Sequence, residues 1–341
     1  MGLAPLEGYA MRFVIAGILI IIAAATAYSG GAADEQIPTV IVVVGAPGAA
    51  EYGAEFTKWA GLWEKACSQG QVKYISIGLD EAGVSDSNEP GQSDDRTILQ
   101  RTLESESKDS SAALWLVLIG HGTYDGREAK FNLRGPDVSA DDLSDWLKPF
   151  SRPIAVINNA SSSAPFLSVL SGPNRVVITA TKSGFEQNYA RFGQYMAEAI
   201  ANPQADLDKD GQTSLLESFL FASGRVDEFY SAAGRLATER ALLDDNADGL
   251  GTRADWFRGV RPIQKAEGSA SPDGYFAHQF YIVYSETESK MPPELRAKRD
   301  KLELEVIKLR DSKSNFSEEE YYSKLESLLY EIALIYEQSE K

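Results

Sequence analysis

The sequence predicts a three-layer α/β/α protein with a mostly parallel sheet, followed by a C-terminal helical hairpin. Three observations carry this prediction. Thr39 to Val44 (TVIVVV) is a continuous apolar, β-branched run ending at Gly45, the pattern of a strand buried on both faces. Strand patterns and helix patterns then alternate along the chain, which leads to a parallel sheet covered by helices on both sides. Beyond Pro292 and Pro293 the pattern changes to two amphipathic helices in succession.

The elements follow in order. After Gly45, Phe56, Trp59, Ala60, Trp63 and Cys67 recur at helical spacing and mark the buried face of a first helix. Val72 to Ile77 is a second strand, Glu81 to Asp94 a polar loop, and Thr97 to Leu103 the start of another helix. Leu114 to Ile119 is a third strand. Ser139 and Asp142 form a capping pair that opens a helix through Trp146 and Leu147. Ile154 to Ile157 and Val176 to Thr179 are further strands, Glu186 to Ala201 a long helix, and Phe280 to Tyr284 a last strand. In the hairpin, Leu302, Val306 and Leu309 share one helix face. Ser317 and Glu320 cap a second helix with Leu325, Leu329, Ile332 and Tyr336 in line. The domain organisation is therefore residues 1–33, 34–290 and 291–341. The hairpin serves either packing on the body or self-association.

Residues 1–33 read as an export signal. Phe13 to Ala27 is apolar, follows Arg12, and ends in Ala25-Thr26-Ala27, a small-x-small cleavage pattern, with Met11 a plausible start. An uncleaved anchor is the alternative; both place the body outside the cytoplasm. The formal net charge of −17 argues against nucleic acid and anionic lipid as partners. The single cysteine, Cys67, excludes an intrachain disulfide, and with two histidines, His121 and His278, a Cys- or His-rich metal cluster is excluded as well. Gly45-Ala46-Pro47-Gly48 lacks the spacing of a nucleotide-binding loop and reads as a tight turn.

In open parallel sheets functional groups gather beyond the carboxyl ends of the strands. The third strand runs into Gly120-His121-Gly122 and the fourth into Asn158-Asn159-Ala160-Ser161-Ser162-Ser163. Adjacent parallel strands would set His121 beside Ser161, a base next to a hydroxyl, with the Gly122 N–H as an oxyanion donor. The segment Leu118 to Gly126 (LIGHGTYDG) resembles the histidine motif of the caspase/legumain-like peptidases. Laid on that resemblance, Asn159 stands where an acid is usual, Ser161 where the nucleophilic cysteine is needed and Ala164 where a glycine is usual. The resemblance spans about Thr39 to Tyr284 and implies the caspase-like fold. With serine in place of cysteine it implies a non-catalytic homologue that binds a peptide or protein segment in the cleft. The alternative is an acyl hydrolase using a His121–Ser161 dyad.

Asp206 to Glu217 (DLDKDGQTSLLE) carries the full spacing of an EF-hand calcium loop. Asp206, Asp208 and Asp210, the Gln212 carbonyl, Ser214 and a bidentate Glu217 would supply hard oxygens to Ca2+, and Gly211 the sharp turn. Asp244 to Asp255 (DDNADGLGTRAD) is a shorter-armed match, with Asp244, Asn246, Asp248 and Asp255 as ligands and Gly249 at the turn. An exported chain meets calcium at concentrations that fill such structural sites, and the bound ion stabilises the fold by mass action.

Overall fold

The computed structural model describes residues 37–79 and 94–339, together with Met1. The export segment and, but for Asp94, the polar loop predicted over Glu81 to Asp94 fall outside these residues. The chain divides into Met1–Ile37 and a compact unit, Pro38–Lys341, which holds all the strands and helices of the described residues. Among the described residues no helix is long and apolar enough to cross a membrane.

The central sheet is built from β1 (Thr39–Val44), β2 (Lys73–Ile77), β3 (Leu114–Ile119), β7 (Ile154–Asn158), β8 (Arg175–Thr179) and β9 (Leu242–Asp244). Their spatial order is β2-β1-β3-β7-β8-β9. The first five run parallel, and β9 closes the edge antiparallel to β8. A three-stranded antiparallel sheet, β4 (Gly122–Tyr124), β5 (Ala129–Phe131) and β6 (Val138–Ser139), stands beyond the tip of β3.

Side chains of a strand alternate between faces, and here both faces are buried. Val40, Val42 and Val44 pack with Phe56, Trp59 and Trp63 of α1 (Ala50–Gly70), Met196 of α5 (Phe192–Ala199) and Phe219 of α6 (Leu215–Ala232). Ile41 and Val43 face the other way, onto Leu99 and Leu103 of α2 (Asp95–Ser105), Leu143 of α3 (Ala140–Leu147) and Phe166 of α4 (Ala164–Leu170). This is the three-layer arrangement the sequence predicts. Cys67 is wholly buried in the first of these layers, where burial pushes its thiol up to about 12. The predicted capping pair is present: the Ser139 hydroxyl accepts from the Asp142 N–H and the Asp142 carboxylate accepts from the Ser139 N–H. Arg175 donates to the Leu147 and Leu170 carbonyls, so one cation serves the carboxyl ends of α3 and α4.

Two elements differ from expectation. The helix predicted over Glu186 to Ala201 is confined to Phe192–Ala199. The buried Glu239 carboxylate accepts from the N–H groups of Arg191 and Phe192 and fixes the start of α5 there. Phe280 to Tyr284 is not a strand. A 3-10 turn at Ala277–Gln279 leads into one antiparallel bridge, Tyr281 to Ser214, and the sixth strand is β9 instead.

After α7 (Glu286–Lys290), α8 (Pro293–Asp311) and α9 (Glu318–Ser339) form the hairpin, with a small core of Met291, Leu302 and Ile335. The Ser317–Glu320 capping box is present. Leu329, predicted in line with Ile332, is half-exposed, while Tyr336 leans on α8, its hydroxyl accepting from Arg299 Nη1 at 3.5 Å. Arg299 pairs with Glu288 at 2.5 Å and with Asp300 at 2.6 Å, and Gln279 donates to the Asp300 carbonyl at 2.6 Å. The hairpin is thereby tied to the turn behind α6.

Candidate functional site

β3 and β7 are adjacent and parallel, with Leu118 opposite Asn158. Their tips therefore bring together the residues beyond them, Gly120-His121-Gly122 and Asn159 to Ser163. The approach is close: a Cβ on Gly122 would stand 2.3 Å from the Ser161 carbonyl oxygen. Ser162 sits in the left-handed region at φ 55, which turns the chain sharply from β7 toward α4.

Ser161 is nearly buried, and its hydroxyl is committed to Gly122. Oγ accepts from the Gly122 N–H at 3.3 Å and donates to the Gly122 carbonyl at 3.3 Å. The N–H expected to serve an oxyanion thus already has the serine oxygen as partner. His121 Nε2 lies 3.1 Å from the Pro47 carbonyl. A carbonyl only accepts, so Nε2 carries the proton and the Nδ1 lone pair is the basic position of the neutral ring. Among the described residues no hydrogen bond joins His121 to Ser161, and no carboxylate stands behind the ring. Asp125 is exposed, and the N–H groups of Glu128 and Arg127 hold its carboxyl below the usual range. Asn159 is 1% exposed, and both its amide atoms lack a hydrogen-bond partner among the described residues.

Aromatic rings enclose the imidazole. The centroids of Tyr52, Phe56 and Tyr189 lie 5.0, 5.3 and 6.2 Å from it. Tyr52 and Tyr189 stack at 4.8 Å and continue into a cleft of about 770 Å³, whose walls carry Glu51, Glu55 and Lys58 of α1 together with Arg191 and Arg235. Sequence patterns miss Pro47, Tyr52 and Tyr189. Pro47 reads only as part of a turn, and Tyr189 falls inside the overlong predicted helix.

The first acidic loop has the shape its spacing demands. Lys209 and Gly211 take positive φ, 65 and 89. Asp206, Asp208 and Asp210 each present an oxygen within 4.8 Å of the others, and Asp208, Glu217 and His278 form a second such group. Glu217 is wholly buried. Its Oε1 accepts from the N–H groups of Leu207 and Asp208, and its Oε2 accepts from the N–H and hydroxyl of Ser214, which caps α6. Burial holds the Asp210 carboxyl above its ordinary range. Gln212 anchors the loop through its side chain, accepting from the Ser285 N–H and donating to Asp210. His278, unassigned from sequence, sets Nε2 at 3.1 Å from Asp208. The donors are hard oxygens gathered in one loop, a set that fits calcium.

The second loop repeats the turn, with Ala247 and Gly249 at φ 68 and 71. Asp244, Asn246 and Asp248 accept from the N–H groups of Gly249, Asp248 and Leu250. Asp255 does not join them. It lies in the 3-10 turn Ala254–Trp256 and pairs with Arg253 at 2.5 Å.

No family profile and no curated protein matches the chain. Among solved structures it is similar to the Drosophila initiator caspase Dronc, at 14% identity over 61% of this chain and 79% of that one, with a TM-score of 0.37. It is also similar to caspase-1 from Spodoptera frugiperda, at 11% identity over 62% of this chain and 87% of that one, with a TM-score of 0.38.

Proposed function

We propose that this is a non-catalytic, peptidase-like domain that binds an extended peptide or protein segment in the cleft beside His121. One observation carries the reading: the Ser161 hydroxyl spends its proton on the Gly122 carbonyl and its lone pair on the Gly122 N–H. A serine nucleophile needs an oriented base within hydrogen-bond reach and a free donor for the oxyanion. The arrangement supplies neither. Serine triads also rely on a carboxylate behind the histidine, whose alteration costs about 10⁴-fold in turnover. Here that place belongs to the neutral Pro47 carbonyl. The sequence resemblance to the caspase/legumain-like peptidases, with serine at the nucleophile position, points the same way.

The cleft suits such a ligand. Tyr52 and Tyr189 offer flat faces for side chains, and Lys58, Arg191, Glu51 and Glu55 offer partners for backbone and charge. Phe229 and Tyr230, at the far end of α6, line the same cleft. Calcium in the first loop, held by Asp206, Asp208, Asp210, the Gln212 carbonyl, Ser214 and Glu217, would fix the start of that helix and so stiffen one wall. We place the domain outside the cytoplasm, secreted or periplasmic or anchored by residues 1–33, with α9 as a surface for self-association through exposed Leu329, Tyr330 and Tyr336. Removal of Pro293 to Lys341 and a mass measurement in solution test that last point.

The test of the main reading is a broad library of quenched fluorescent peptides, with and without calcium. The expected result is saturable binding without turnover, and no labelling of Ser161 by a phosphonate. Cleavage that His121→Ala abolishes would overturn it. The competing reading, an acyl hydrolase, draws on the Nε2-protonated ring, whose Nδ1 lone pair is left as a base.

A further inference from the structure

The two acidic loops share more than their turns. In the first, the closing carboxylate of Glu217 gathers the N–H groups of the second and third loop residues, Leu207 and Asp208, and the hydroxyl of the ninth, Ser214. In the second loop the same three positions are Asp245, Asn246 and Thr252. Their N–H, N–H and hydroxyl all point to Asp273, at 3.0, 3.2 and 2.5 Å. Asp273 is 1% exposed and lies far downstream of the loop. It is held there by its surroundings. The Asp245 carboxylate accepts from the N–H groups of Gly274 and Ala277, and Asn246 donates to the Ser269 hydroxyl and the Ser271 carbonyl. Gly274, at φ 104, lets the strap pass over the loop.

A second observation points to a ligand. Asp244, the first residue of the loop, is wholly buried, and its Oδ2 has no hydrogen-bond partner among the described residues. The Ser171 hydroxyl lies beside it without completing a hydrogen bond, and its charged neighbours include Asp245, Asp248 and Asp273. A buried carboxylate oxygen among other carboxylates, with no completed hydrogen bond, calls for a counter-charge that a bound cation would supply.

We propose that the second loop is a calcium site whose closing ligand is Asp273, brought in from outside the loop, and that Asp255 takes no part. Asp244, Asn246 and Asp248 supply the first three side chains, the Leu250 carbonyl the fourth donor and Asp273 the last. The preference for calcium over magnesium follows from an all-protein oxygen set, since magnesium demands near-ideal octahedral geometry and keeps its waters. This assignment stands apart from the peptide-binding reading.

The test is a calcium titration by calorimetry on the full chain, in a background where Asp206→Asn and Asp208→Asn disable the first loop. One calcium per chain is expected. Asp273→Asn keeps size while removing the charge and one of the two accepting oxygens, and should weaken that site at least tenfold, as should Asp244→Asn. Asp255→Asn should leave it unchanged. Circular dichroism establishes that each variant is folded, and an unfolded Asp273→Asn would be replaced by Asp273→Ser. Absence of calcium binding in the background protein would overturn the proposal. So would a tenfold loss on Asp255→Asn with none on Asp273→Asn. Peptide binding that persists in all these variants leaves the two readings separately decided.

Discussion

The two acidic loops are near-copies in backbone and opposites in how they are closed. The first, residues 206–217, ends in its own closing carboxylate, and Glu217 also belongs to the capping box of α6. The second, residues 244–255, starts in the edge strand β9 and is closed by Asp273 from a separate strap. The turn is a local property set by side-chain-to-backbone hydrogen bonds and two left-handed residues. The closing ligand depends on what the fold delivers from elsewhere. A loop closed from within couples to one helix, whereas a loop closed from outside couples two distant stretches of chain.

The largest expected effect separates the two closers. Glu217→Ala removes the acceptor for the Leu207 and Ser214 N–H groups and the Ser214 hydroxyl, all at a buried site, and leaves α6 with only the Ser214 half of its capping box. A loss of at least about 3 kcal/mol is expected in urea melts without calcium, from three orphaned donors at roughly 1–3 kcal/mol each. Asp273→Ala should cost less, because no long helix starts at its loop. Equal losses would erase the difference between closure from within and closure from outside.

Calcium removal comes next. An ion bound at a hundred times its Kd contributes about 2.7 kcal/mol, which raises Tm by about 5 °C in a chain of this size. With both loops loaded the wild-type shift on adding a chelator should exceed that of Asp273→Asn by one such step. Cys67 gives an independent readout. Its thiol is buried and pushed up to about 12, so it should resist labelling at pH 8 in the folded chain and react only through unfolding. Calcium should slow that labelling, and less so in Asp273→Asn.

How the sequence serves each region follows the same division between local and distant. The buried strands, the capping boxes and the adjacency of His121 and Ser161 are legible, since each rests on a short pattern or on parallel alternation. The left-handed turns of both loops are legible from Asp, Asn and Gly at fixed spacing. Asp273 is not, because nothing in Ser-Pro-Asp-Gly marks it as facing a loop far upstream. The same limit hides β9, whose Leu-Leu-Asp is too short to announce a strand, and Pro47, which serves His121 through a backbone carbonyl that any residue would present. Asp255 sits at the right count for a closing ligand, and in the fold it lies in a 3-10 turn paired with Arg253.

A smaller effect tests whether the turns are equivalent. Gly211 and Gly249 both hold positive φ, 89 and 71, and a Cβ at either meets nothing closer than 3.5 Å. The cost of alanine there is therefore conformational, with no steric clash to confuse it. About 1–2 kcal/mol is expected at each position, the strain of a left-handed L-residue. Because the two loops share the turn and differ only in closure, Gly211→Ala and Gly249→Ala should lose similar stability in calcium-free melts, within about 0.5 kcal/mol of each other. A full cost at one and none at the other would mean that only one loop holds its turn without the ion. The second loop would then owe its shape to Asp273 and the cation together, with the turn following from closure.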